Sequence, residues 1–146
     1  MPEIKEAEYT VYVKIDDIGR VTEINSSAFI PDISGWINID NGCGDKYHHA
    51  QGNYLEHSIV DRYGLYNYKL VNGNVVLRSE ADKKDELNII KARDEIYELK
   101  KKLTDTDYIA AKIAEGAATK EEYSEQLAER ALWRTRINEL QNLYGT

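Results

Sequence analysis

The sequence predicts an α+β protein: a small antiparallel β unit of hairpins over residues 1–79, followed by a helical hairpin or short coiled-coil segment over residues 80–146. Two observations carry this. Up to Ser79, apolar residues alternate in short runs separated by turn residues, the period of two that marks strands. From Glu80 onward proline is absent and glycine nearly so, and apolar residues recur at spacings of three and four.

The elements follow in order. "EYTVYVKI" places Tyr9, Val11 and Val13 on one face of a strand and Thr10, Tyr12 and Lys14 on the other. "DDIGR" is a tight connection, with Gly19 free to take a positive φ and Asp16 and Asp17 serving local hydrogen bonds. "VTEIN" runs back, closing a β-hairpin. "GWINID" (Gly35 to Asp40) reads as a further strand. "YNYKLVNGNVVLRS" carries Asn72-Gly73 between two apolar runs, a strong short-range hairpin signal. Ser79 with Asp82 marks a helix start, although the charged junction "RSEADKKDE" also reads as a flexible joint. Ile89, Ala92, Ile96, Leu99 and Leu103 then form one stripe. "TDTDYIAAKIAEG" is a short second helix that Gly116 terminates. Thr119 with Glu122 forms a capping box for a third helix, lined by Trp133, Ile137, Leu140 and Tyr144. The first stripe packs most simply against the third helix within one chain. A parallel coil between subunits is the alternative, although two heptads are too short to hold one alone.

Bulk composition narrows the function. A chain of 146 residues suits one compact domain, or a small domain with an appendage. A net charge of −7 argues against nucleic-acid binding. The run Lys100 to Lys102 sits between Glu95 and Glu98 on one side and Asp105 and Asp107 on the other, a solvated helix face. No apolar run approaches the roughly 18 residues that cross a bilayer, so no membrane association is expected. "MPEIKEAEYTVYVK" lacks the basic and apolar regions of a secretory signal. Cys43 stands alone and cannot form an internal disulfide, so cytoplasmic synthesis is the expectation. Eleven tyrosines against one phenylalanine suit half-buried sheet surfaces and protein interfaces.

"GDKYHHAQGNY" (Gly44 to Tyr54) holds most of the chemistry-bearing residues. A zinc site built from Cys43, His48, His49 and His57 lacks the spacing of the known motifs. In extended backbone His48 and His49 diverge; a turn would bring them together, but nothing in the sequence requires one, and a metal is set aside. A Cys43–histidine pair oriented by Asp45 lacks an activating setting for the thiolate, because Gly42 and Gly44 make a turn there. No catalytic residue, metal or cofactor is expected. The interface or binding candidates are Trp36, Tyr47, His48, His49, Tyr54, Tyr66 and Tyr68.

The assembled residues resemble a known family. "YVKIDDIGRVTEINSSAF" (Tyr12 to Phe29) and "GWINIDNGCGDKYHHAQGNYLEHSIVDRYGLYNYKLVNGNVVLRS" are similar to segments of small tail proteins from phages and prophages of Gram-positive bacteria. The helical end, "LTDTDYIAAKIAEGAATKEEYSEQLAERALWRTRINEL", is similar to these proteins and, more loosely, to tail fibre assembly proteins of enterobacterial phages. The resemblance covers nearly the whole chain and is most specific in its centre. It implies a protein without enzymatic activity that accompanies the receptor-binding fibre or baseplate, either as a virion component or as an assembly chaperone capping the fibre tip. Its partners would be fibre or baseplate proteins, with a homo-oligomer also open. Its location would be the host bacterial cytoplasm during assembly, and the virion tail if it is retained. The central loop is then fold-determining or an interface, its histidines bonding backbone groups across it. A more distant alternative has Trp36, Tyr47 and Tyr54 stacking on a glycan.

Overall fold

A computed structural model of the chain describes residues 7–145; the "MPEIKE" of the signal-peptide reading lies outside them. The chain is α+β and divides into two compact units, residues 1–83 and 84–146.

The first unit is built on a three-stranded antiparallel sheet. β1 (Glu8–Ile15) is central, flanked by β2 (Val21–Ser26) and β3 (Ile37–Cys43). Asp16 organises the β1–β2 turn, its Oδ1 accepting the N–H groups of Ile18 and Arg20 at 3.1 and 2.9 Å. Gly19 there has φ +86°, as the sequence expects. Val11 and Val13 point to one side of β1 and are fully buried with Val21 and Ile24. Each such side chain contributes about 1.5–3 kcal/mol by leaving water.

Two helical turns, α1 (Asp45–His48) and α2 (Ala50–Asn53), follow β3 and place Ala50 in this core. The Asn72-Gly73 hairpin forms as expected between β4 (Tyr68–Val71) and β5 (Asn74–Leu77), both turn residues taking positive φ. Tyr68 is buried in the same core, and its hydroxyl oxygen accepts the His57 N–H at 2.9 Å. Tyr68 is therefore a core residue and not an interface candidate.

The unit boundary lies four residues beyond the expected one because the first turn of the next helix, α3 (Glu80–Thr106), is bound to the β unit. Ser79 Oγ accepts the Asp82 N–H at 3.1 Å, the expected cap. Buried Arg78 donates to Asp82 Oδ2 at 2.9 Å and to the Tyr66 carbonyl at 3.0 Å. Lys83 donates to Asp61 Oδ2 at 2.8 Å and to Asn67 Oδ1 at 2.6 Å.

In the second unit α3 packs antiparallel on α5 (Ser124–Tyr144), with α4 (Tyr108–Ala114) between them in sequence. Ala92, Ile96, Ile137 and Leu140 are its buried core, with Leu99, Leu103 and Tyr144 packed against it. The stripe is thus used within the chain as a helical hairpin. Ile89 and Trp133 are half-buried outside that cluster, and Lys102 lies over the Trp133 ring at 5.7 Å. α4 ends in a Schellman motif: Ala117 donates to the Lys112 carbonyl and Gly116 to that of Ile113, with Gly116 at φ +75°. The Thr119 capping box forms by half. Thr119 Oγ1 accepts the Glu122 N–H at 3.3 Å, but residues 120–123 are turns and the helix begins only at Ser124.

Arg130 was not legible as a structural residue. It is 3% exposed and donates to the Leu103 carbonyl at 2.7 Å, to Thr106 Oγ1, and to Asp107 Oδ1 at 2.8 Å. A cation thereby satisfies the carbonyl end of α3, where the helix dipole is negative. Among the described residues, no helix is long and apolar enough to cross a membrane.

Candidate functional site

The site grows out of a change in backbone direction at the end of β3. Gly44 takes φ +91°, a conformation that favours glycine, and the chain leaves the strand directly into helical turns. His48 N–H donates to the Gly44 carbonyl at 2.9 Å and His49 N–H to that of Asp45 at 2.8 Å. Residues three and four apart share a helix face, so Asp45, His48 and His49 come together. The divergence expected of extended backbone does not occur: their rings lie 4.2 Å apart, because the chain turns helically up to His48 and His49 caps that turn at φ −108° and ψ 50°.

This cluster has defined partners. His49 Nδ1 contacts Asp45 Oδ1, and Asn53 Nδ2 donates to Asp45 Oδ2 at 2.7 Å. His48 is stacked by Tyr9 at 4.6 Å and by Phe29 at 5.3 Å, and Phe29 also stacks on His49 at 5.5 Å. The histidines are therefore held by a carboxylate and by rings, not by the backbone groups that the sequence suggests. Asp45 does orient an imidazole, that of His49. Cys43 is exposed, and neither Cys43 nor His57 belongs to the group.

The tyrosines of the same segment turn the other way, into the sheet. Tyr54 donates to Asp40 Oδ2 at 2.8 Å and Tyr47 reaches the same oxygen at 3.5 Å, their rings meeting edge to face at 5.8 Å. Lys46 Nζ lies 4.9 Å from the Tyr54 ring centre. The Tyr54 hydrogen bond, outweighing burial, holds the Asp40 carboxyl below its usual range, with the Asn41 N–H, Tyr47 and Lys46 assisting. Burial, and then Asp40, pushes the Tyr54 hydroxyl far above its usual range. Gly42 is required beneath this pair, because a Cβ there would fall 2.5 Å from Tyr47 ring carbons. Tyr47 and Tyr54 thus pack, partly buried, against the core and build the fold at this loop.

The other candidates are dispersed. Trp36 is half-buried with Lys14 Nζ 4.7 Å over its ring, and half-buried Tyr66 carries the Arg20 guanidinium at 5.6 Å. Asp40, Gly42, Phe29 and Asn53 were missed. The spacing Asp-x-x-His-His, read as a helical turn, was the one signal available for the cluster. The chain matches no protein-family model, no curated protein and no solved structure.

Proposed function

We propose that this chain is a non-enzymatic structural component of a phage tail, associated with the fibre or baseplate of the receptor-binding apparatus. The observation that carries this reading is the use made of the residues behind the sequence resemblance. Val13, Val21 and Ile24 from "YVKIDDIGRVTEINSSAF" build the core of the β unit together with Tyr47, Ala50 and Tyr54 from "GDKYHHAQGNY". The two segments behind the resemblance thus meet in one core, which supports reading it as a resemblance of the β unit as a whole. In this reading the chain is made in the host bacterial cytoplasm, binds fibre or baseplate proteins, with a homo-oligomer as one form of that assembly, and stays in the virion tail.

The assembly chaperone, with the β unit capping a fibre tip, is the alternative. The glycan reading has less support, because Tyr47 and Tyr54 both direct their hydroxyls at Asp40 and Lys14 covers the Trp36 ring. Deleting the gene from the source phage or prophage tests the proposal. Particles should lack an ordered fibre or baseplate while the separately expressed fibre protein stays soluble. Fibre protein that is insoluble alone and rescued by co-expression would replace the structural role with the chaperone. Normal, infectious particles would refute both.

A further inference from the structure

We propose that Asp45, His48 and His49 form a binding site for one divalent transition-metal ion of the zinc class. One imidazole nitrogen from each histidine and one Asp45 oxygen lie within 4.8 Å of one another. On a tetrahedral ion with bonds of about 2 Å, neighbouring ligand atoms sit roughly 3.3 Å apart, so small side-chain rotations complete the set. Asp45 and His49 are exposed, so such rotations meet no packed core. In the metal-free chain His49 Nδ1 and Asp45 Oδ1 share a hydrogen bond, and a cation takes the place of that proton.

The surroundings hold the ligands in place. Asn53 donates to the second Asp45 oxygen, as outer partners of a ligating carboxylate do. Tyr9 and Phe29 stack on His48 and fix its ring plane. Two imidazoles and one carboxylate suit zinc, and they leave a coordination position for water. The spacing matches no known zinc motif, but the divergence that also argued against a metal does not arise, because the chain turns at His48 and His49. The site is independent of the role in a phage tail.

The test is calorimetric titration of zinc chloride into the full chain, prepared without a histidine tag. One equivalent should bind saturably. Asp45→Asn and His49→Gln should each weaken binding at least tenfold, while His57→Gln leaves it unchanged. Absence of one-to-one binding, or affinity unmoved by the first two variants, overturns the proposal. Should those variants misfold by circular dichroism, histidine-ring resonances of the unaltered chain decide. Zinc must shift those of His48 and His49 and spare His57; a shift confined to His57, or none, overturns the site.

Discussion

The Tyr54 hydroxyl and Asp40 Oδ2, fourteen residues apart in sequence, are joined by a 2.8 Å hydrogen bond. It fastens the end of α2 to strand β3, and Tyr47 adds a longer bond to the same oxygen. A hydrogen bond to a charged acceptor is worth about 1.5–3 kcal/mol, and partial exposure places this one at the low end. Tyr54→Phe should therefore lower unfolding stability by about 1–2 kcal/mol in urea denaturation, with Tyr47→Phe costing less. Equal effects would mean that the two hydroxyls share Asp40 evenly.

The same pair shapes the response to pH. A carboxyl held below its ordinary value near 3.8 contributes stability above that value, and the contribution is lost as pH falls through the folded value. Asp82, held down first by Arg78, acts with Asp40. At Asp61 burial opposes ionisation, but Lys83 and the N–H groups of Tyr63 and Leu65 outweigh it. Tyr54, raised above 10.0, binds its proton more tightly when folded, so its contribution is present below that pH and lost above it. The contribution of these four groups should be constant from about pH 4 to 10 and fall on both sides. Asp40→Asn should shallow the acid arm and Tyr54→Phe the alkaline arm in melts across pH; unchanged arms would contradict the coupling.

Gly42 is fixed by the Tyr47 ring against it. Gly42→Ala should cost about 1–3 kcal/mol, the usual range for overpacking. Gly52→Ala in α2 meets nothing within 4 Å and should be neutral or slightly stabilising. In a Tyr47→Ala background the Gly42 penalty should largely vanish, a coupling that a double-mutant cycle measures.

The helical unit depends on Ile96 and Arg130. Ile96→Asp buries a charge among Ala92, Ile137 and Leu140 and should abolish the cooperative melting of the helices by circular dichroism. Arg130→Met keeps the stem but leaves the Leu103 carbonyl without its donor, and should cost about 2 kcal/mol. Retained melting in Ile96→Asp would place that face in solvent.

Much of the fold was legible because its signals are local. The alternation around Val11 and Val13, the Asn72-Gly73 turn, the Ser79 cap and the Gly116 stop each lie within a few residues of the element they define. The site was not legible for the opposite reason. Two four-residue turns, one preceded by Gly44 and the other containing Gly52, are too short to show a helical period, so nothing in the sequence requires His48 and His49 to come together. Asp40 shows no sign in sequence of the two tyrosines that bind it, seven and fourteen residues away. Arg130 resembles any charged residue on a solvated helix until α3 and α5 are packed together. The boundary at Lys83 depends on Asp61, twenty-two residues earlier.

The most direct test of the proposed tail role is quantitative mass spectrometry on phage or tail particles purified from the source strain. A structural tail component should be present at a fixed copy number, in step with the fibre or baseplate proteins across preparations. Absence from particles that carry complete fibres and baseplates would contradict it.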